Sequence, residues 1–165
     1  MGNFGDQKHG LEIGRLLSSI KERKPPVINE YSTIQHVIDA MIQFDHSRVV
    51  YVQDEAGKLC GAISLGALAK HVFSRSHEPQ IHARVLISMI TAETAKDIMQ
   101  KRPVFALKNE EVGSVLKRMI ESNAKEIPIL DEERRVIGDI TMLDLLKFLL
   151  PTVGESEDMA KDHDH

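Results

Sequence analysis

R-V-I-G-D-I-T-M-L-D-L-L-K-F-L-L, residues 135–150, sets two periodicities back to back. Val136, Ile137 and Ile140 form a short apolar run around Gly138 and Asp139, which predicts a strand. From Met142 the spacing changes. Met142, Leu145, Leu146 and Leu149 recur at i, i+3, i+4 and i+7, and Pro151 closes the run, so a helix follows. Thr141 stands at the junction, where its hydroxyl can accept from the free N–H groups of the first helical turn. Asp144, three residues on, completes a T-x-x-D pattern. Taken alone, the pair reads as a capping box.

The same stretch occurs in weaker form in the first half of the chain. Pro26 and Val27 fall on Pro103 and Val104 at a separation of 77, and Ile34, Val37, Ile38, Met41 and Ile42 fall on Val112, Val115, Leu116, Met119 and Ile120 at 78. Gly61, Ser64 and Leu68 return to 77 against Gly138, Thr141 and Leu145. This reading places the residue gained in the first loop and the residue lost in the hairpin turn, where length changes are tolerated. It sets Glu126 against Arg48.

Each copy is therefore predicted to run strand, amphipathic helix, strand, turn, strand, helix. In the second copy these are Val104–Ala106, Glu111–Ser122, Glu126–Leu130, the D-E-E-R turn, Arg135–Ile140 and Met142–Leu150. A unit of about 50 residues leaves one sheet face or helix stripe uncovered, and two copies cover each other. Ahead of them Leu11, Ile13, Leu16, Leu17 and Ile20 predict a docking helix. Between them Gln80–Ile90 carries an apolar stripe (Ile81, Val85, Leu86, Met89, Ile90), and Thr94–Met99 reads as a short helix. The expected division is a tail and docking helix over 1–23, a first repeat over 24–75, a connecting helical segment over 76–93, a second repeat over 94–151 and a disordered tail over 152–165.

Composition narrows the functional classes. The 165 residues are 42% hydrophobic and 28% charged, with no Trp and 4% aromatics, so the core must be aliphatic. A net charge of −4 and scattered Lys and Arg speak against nucleic-acid binding. Cys60 is the only cysteine, which excludes an internal disulfide or a Cys-based zinc site and suits a reducing compartment. The N-terminus lacks the apolar core of a signal peptide, and no window approaches 18 consecutive apolar residues. The expectation is a cytoplasmic protein with no membrane association. No phosphate-loop, dinucleotide, zincin, C-x-x-C or G-x-S-x-G motif occurs, so no catalytic constellation and no enzymatic activity are expected. His71, His77 and His82 could approach a metal only around a specific turn at Pro79. Solvated surface histidines are the simpler reading, and no metal is expected.

The paired copies, with A-K-D-I-M before the second, the E-I-P-I-L-D strand and the V-I-G-D-I-T-M-L-D-L-L ending, resemble the CBS-domain pair, or Bateman module, over Lys24–Leu150. The resemblance implies an α/β (α+β) fold in which two β-α-β-β-α units pack through their sheets about a pseudo-twofold axis and enclose two clefts. It also implies association into a homodimer, with helix residues such as Val37, Met41, Val115 and Met119 near the contact. The family's clefts often take AMP, ADP, ATP or S-adenosylmethionine, and its members usually regulate another protein, whose identity here is unknown. No cofactor is required.

Carried onto this chain, the resemblance puts Thr141, Asp144 and Ile140 at one cleft, with Asp144 accepting from the ribose hydroxyls. Pro26, Val27 and Ile28, with His46, Ser47 and Arg48, form the facing wall. An acidic residue suits a vicinal diol, a helix N-terminus suits a phosphate, and a guanidinium fork suits an anion. The pseudo-equivalent cleft, with Ser64, Val104 and Lys125, is expected to be weaker. Ala67 stands where Asp144 stands in the other copy, and Glu126 would repel a phosphate. One competent site per chain is the expectation. The alternative is a structural, adaptor or oligomerisation module in which Thr141 and Asp144 only cap a helix.

Overall fold

The computed structural model describes residues 11–20, 24–74 and 83–150. Both tails, His77, Pro79, Ile81 and His82 lie outside the described residues. The chain opens with α1 (Ile13–Ser19), and β1 (Val27–Asn29), α2 (Ile34–Gln43), β2 (Val49–Gln53), β3 (Leu59–Ser64) and α3 (Leu65–Ser74) form the first repeat. Then come α4 (Ala83–Ala92), α5 (Ala95–Ile98) and β4 (Gln100–Lys101). The second repeat follows as β5 (Ala106–Leu107), α6 (Val112–Glu121), β6 (Glu126–Leu130), β7 (Val136–Thr141) and α7 (Met142–Leu149).

The two sheets have orders β1-β2-β3-β4 and β5-β6-β7. In each, the first strand runs parallel to the second through a helical crossover, and the next two form an antiparallel hairpin. This is the mixed α+β pair of units that the repeats predict. Two details differ. The opening strand of the second repeat begins at Ala106 rather than Val104, because one step before the Ala106–Ile129 pair stands Pro128, which has no N–H to give the bond that Tyr51 N makes to Pro26 O in the first repeat. The edge strand β4 had no signal, since two polar residues carry no alternation to read.

Each repeat is completed by the segment that precedes the other. Ile13 and Leu16 of α1 are fully buried in the core of the second repeat, among Val112, Val115, Met119, Ile127, Ile140 and Leu145. Main-chain bonds from Ile13 N to Glu110 O and from Gly14 N to Lys108 O, both 2.9 Å, fix the docking. Ala95 of α5 is buried in the first repeat's core with Ile34, Val37, Val52, Ile63 and Leu68, and Ala95 N donates to Ser32 O (2.8 Å). Burying a Leu or Ile side chain stabilises by about 1.5–3 kcal/mol, so these crossing segments are integral to the cores.

A third cluster joins the two sheets, with Tyr51, Leu59, Ala62 and Leu130 buried and Val27, Val49, Phe105, Leu107 and Val136 packed around them. Leu59 N donates to Arg134 O across this interface (3.0 Å). Val37, Val115 and Met119, expected near a dimer contact, are fully buried core residues. The apolar residues that face outward on the same helices are Ile42 and Ile120, 71% and 62% exposed and 78 apart.

Candidate functional site

The two strand-to-helix junctions can be superposed residue by residue through the ladders. Val49 pairs with Ser64 and Glu126 with Thr141, while Gln53 pairs with Leu59 and Leu130 with Val136. Leu65 N donates to Arg48 O and Met142 N to Lys125 O, both at 2.8 Å. Arg48 is therefore matched by Lys125, and Glu126 by Val49. This corrects the alignment that set Glu126 against Arg48. The five-residue hairpin turns are equal in length, and the residue is lost between helix and strand, where 44–48 is matched by 122–125. Nor is a residue gained in the first loop, because Ile28 on Val52 matches Ala106 on Ile129, a separation of 78 already at the opening strand, which corrects the pairing of Val27 with Val104. A basic residue is kept at both junctions.

At the second junction the capping box is complete. Asp144 N donates to Thr141 Oγ1 (3.1 Å), and Thr141 N donates to an Asp144 carboxylate oxygen (2.9 Å). At the first, Ser64 Oγ accepts from Ala67 N (3.1 Å), and Ala67 has no carboxylate to return the bond. A carboxylate has about four lone-pair sites and a hydroxyl that accepts can still donate, so capping leaves both groups able to meet a ligand.

Between the repeats lies a cleft of about 910 Å³. His46, Arg48, Ser64, Val104, Lys125 and Thr141 line it, six of the residues singled out from the sequence and drawn from both expected sites. The structure thus joins parts of two clefts into one continuous space. Pro26, Val27, Ile28, Ser47, Ile140 and Asp144 are not among its lining residues. The Ile140 side chain is fully buried in the second repeat's core, and Pro26 is buried too. Asp144 is half-buried and directly follows Leu143, which does line the cleft. Asn123 also lines it, in the left-handed conformation (φ 54°) that ends α6, with Ala124 N returning to Met119 O.

The sequence reading singled out Glu126 only as a carboxylate that would repel a phosphate, and missed the contact it makes. Its carboxylate accepts from the Ser47 hydroxyl and from Arg48 N (3.2 Å), so the second repeat grips the loop that opens β2 in the first. Asp139 lies diagonally across the β6–β7 ladder, within hydrogen-bonding reach of Glu126, and is only 3% exposed. Desolvation raises the Glu126 pKa above the ordinary carboxylate value. Asp139 adds to that, while the bonds from Ser47 and Arg48 oppose it. The Arg48 guanidinium turns to its own loop, where Nη1 donates to Asp45 O (3.2 Å). A clue was present in the sequence, since an Asp inside V-I-G-D-I must be buried beside a partner.

Of the weaker candidates, His71 pairs with Glu93 through Nε2, and no group of three metal-ligating side chains occurs among the described residues. No helix among them is long and apolar enough to cross a membrane.

Comparison with known proteins agrees with this architecture. The family model for the CBS domain matches twice, over residues 17–74 and 95–151. A CBS domain-containing protein from Thermotoga maritima is similar in structure, with 29% identity, a TM-score of 0.69, and coverage of 87% of this chain and 96% of that one. CBSX2 of Arabidopsis thaliana, solved in complex with AMP, shares the fold at 16% identity and a TM-score of 0.67, over 87% of this chain and 98% of its own. A CBS-domain pair solved with 5′-methylthioadenosine and S-adenosyl-L-methionine does so at 20% identity and a TM-score of 0.64, with the same two coverages. The chain spans only about a fifth to a quarter of the length of the first curated relatives it matches.

Proposed function

The chain belongs to the CBS-domain family, and from that premise we propose that it is a regulatory module that binds an adenosine nucleotide between its repeats. It passes the change to a partner or to its own dimer. The observation that carries this reading is the inter-repeat cleft itself, which is lined by basic residues (Arg48, Lys125), by hydroxyl-bearing ones (Ser64, Ser122, Thr141) and by the Glu126 carboxylate, beside apolar residues that include Ala62 and Val104. That set suits a ligand with an aromatic base, a sugar and an anion. Thr141 and Asp144 serve the ribose, and Arg48 the phosphate. Relatives solved with AMP, or with 5′-methylthioadenosine and S-adenosylmethionine, support the ligand class.

Thermal unfolding with AMP, ADP, ATP and S-adenosylmethionine tests the proposal. A ligand at 100 times its dissociation constant stabilises by about 2.7 kcal/mol, and at least one should do so. No shift with any of them at millimolar concentration would overturn the reading in favour of a structural or adaptor module, which the complete capping box at Thr141 and Asp144 favours. Homodimerisation through the outward apolar faces at Ile42 and Ile120 is part of the same proposal. Light scattering should give twice 18.5 kDa. A monomer at all concentrations would remove the dimer from the account.

A further inference from the structure

A carboxylate already covers the donors at one side of the cleft. Glu126 lines the cleft and accepts from the Ser47 hydroxyl, itself only 4% exposed, and from the Arg48 amide, and the basic residues Arg48 and Lys125 line the same space. A hydroxyl, a main-chain N–H and neighbouring cations form the kind of set that binds a phosphate oxygen. We propose that Glu126 is a resident occupant of the phosphate end of the cleft, displaced when a nucleotide enters, so that binding breaks the grip of the second repeat on the first. The inference rests on the nucleotide reading above and adds how that site is regulated.

Three observations support it. Glu126 comes from the second repeat and its partners from the first, so exchanging carboxylate for phosphate alters a contact between the repeats and not one within a core. The position matched to Glu126 is Val49, which provides no anion, so the device exists on one side of the pseudo-twofold only. Burial and the facing Asp139 disfavour the ionised form of Glu126, which lowers the cost of moving it away. The effect of displacement is then a loosened loop at 44–48, carrying His46 and Arg48, between α2 and β2.

The test compares AMP with adenosine, which lacks the phosphate, by titration calorimetry of the full chain and of E126A and E126Q. Gln keeps the side chain's shape and an acceptor for Ser47, so it guards against a folding defect in E126A. AMP should bind E126A about tenfold more tightly than the parent and E126Q about threefold more tightly, with adenosine within about twofold in all three. AMP affinity that is unchanged or weaker in both variants, or adenosine that tightens as much as AMP, would overturn the displacement while leaving the nucleotide reading intact. If neither ligand binds any of the three proteins, the nucleotide reading itself fails and the inference with it.

Discussion

The two repeats match in what their backbones do and differ in what their side chains offer to the cleft. Both β3 and β7 pass a glycine under a crossing segment from outside the repeat. A Cβ on Gly61 would lie 2.3 Å from Met99 Sδ, and one on Gly138 would lie 2.9 Å from Leu17 Cδ1. Both turns place one residue in the left-handed region, Gly57 at φ 79° and Arg134 at φ 65°. The junctions diverge: Thr141 and Asp144 form a reciprocal cap where Ser64 and Ala67 form half of one. With Lys125 matched to Arg48, the lasting asymmetry is Asp144 against Ala67 and Glu126 against Val49. Scaffold positions are held by sterics in both repeats, while the residues offered to the site differ between them.

The largest expected effect is at the glycines. Gly61→Ala forces Met99 away along its stem, with Cγ at 2.7 Å and Cβ at 3.0 Å from the new methyl, and should cost about 1–3 kcal/mol. Gly138→Ala meets only the flexible end of Leu17 and should cost less than half as much. Urea denaturation of both variants checks the ranking, and equal costs would break the comparison at its steric root.

Next come the caps. Asp144→Ala should lose about 0.5–2 kcal/mol, and Ala67→Asp, which completes the box in the first repeat, should gain a few tenths. Chemical denaturation reads both. A destabilised Ala67→Asp would mean that the two junctions are not interchangeable.

An ion pair found in one repeat alone gives an acid-limb test. Arg118 and Glu110 form a bidentate pair, with Leu107 N donating to Glu110 (2.8 Å), where the first repeat has Ala40 and Ser32. Arg118, by hydrogen bonding, holds the Glu110 carboxyl below its ordinary 4.5 against the opposing cost of burial. A depressed folded pKa adds stability above pH 4.5 that fades as pH falls through the folded value. Glu126 has the opposite sign, because its pKa is raised. Its contribution is complete below 4.5 and is lost as pH rises through its folded value. Arg118→Met should therefore cost about 1 kcal/mol at neutral pH, given the pair's partial exposure, and less at pH 3. Melting temperature against pH for parent and variant measures this, and a constant difference across the range would contradict the assignment.

Much of this was legible in the sequence because repetition amplifies weak signals. The Thr141 junction alone gives a cap, and its echo at Ser64 gives a paired fold. Strands and helices with a buried face announced themselves by period, whereas β4 did not, because two polar residues at an edge have none. The Arg48/Glu126 mismatch shows the other limit. Sequence spacing cannot decide which of two loops lost a residue, and only the ladders, with Val49 on Ser64 and Glu126 on Thr141, settle it. The Glu126 grip on Ser47 joins residues 79 apart, a contact that no periodicity encodes. Val37, Val115 and Met119 were correctly read as one helix face, but that face is core and the outward one begins at Ile42 and Ile120.

The central claim is that the cleft is asymmetric, with one nucleotide per chain whose ribose is held at Asp144. Titration calorimetry of AMP into the parent and into Asp144→Asn tests it most directly, since Asn keeps the cap and loses the charge. Charge-assisted bonds to two hydroxyls are worth about 1.5–3 kcal/mol each. The account therefore predicts a stoichiometry of about one for the parent and at least tenfold weaker binding in the variant, with its melting temperature lowered by only a degree or two. Two equivalent sites, or an Asp144→Asn protein that binds AMP as tightly as the parent, would contradict it.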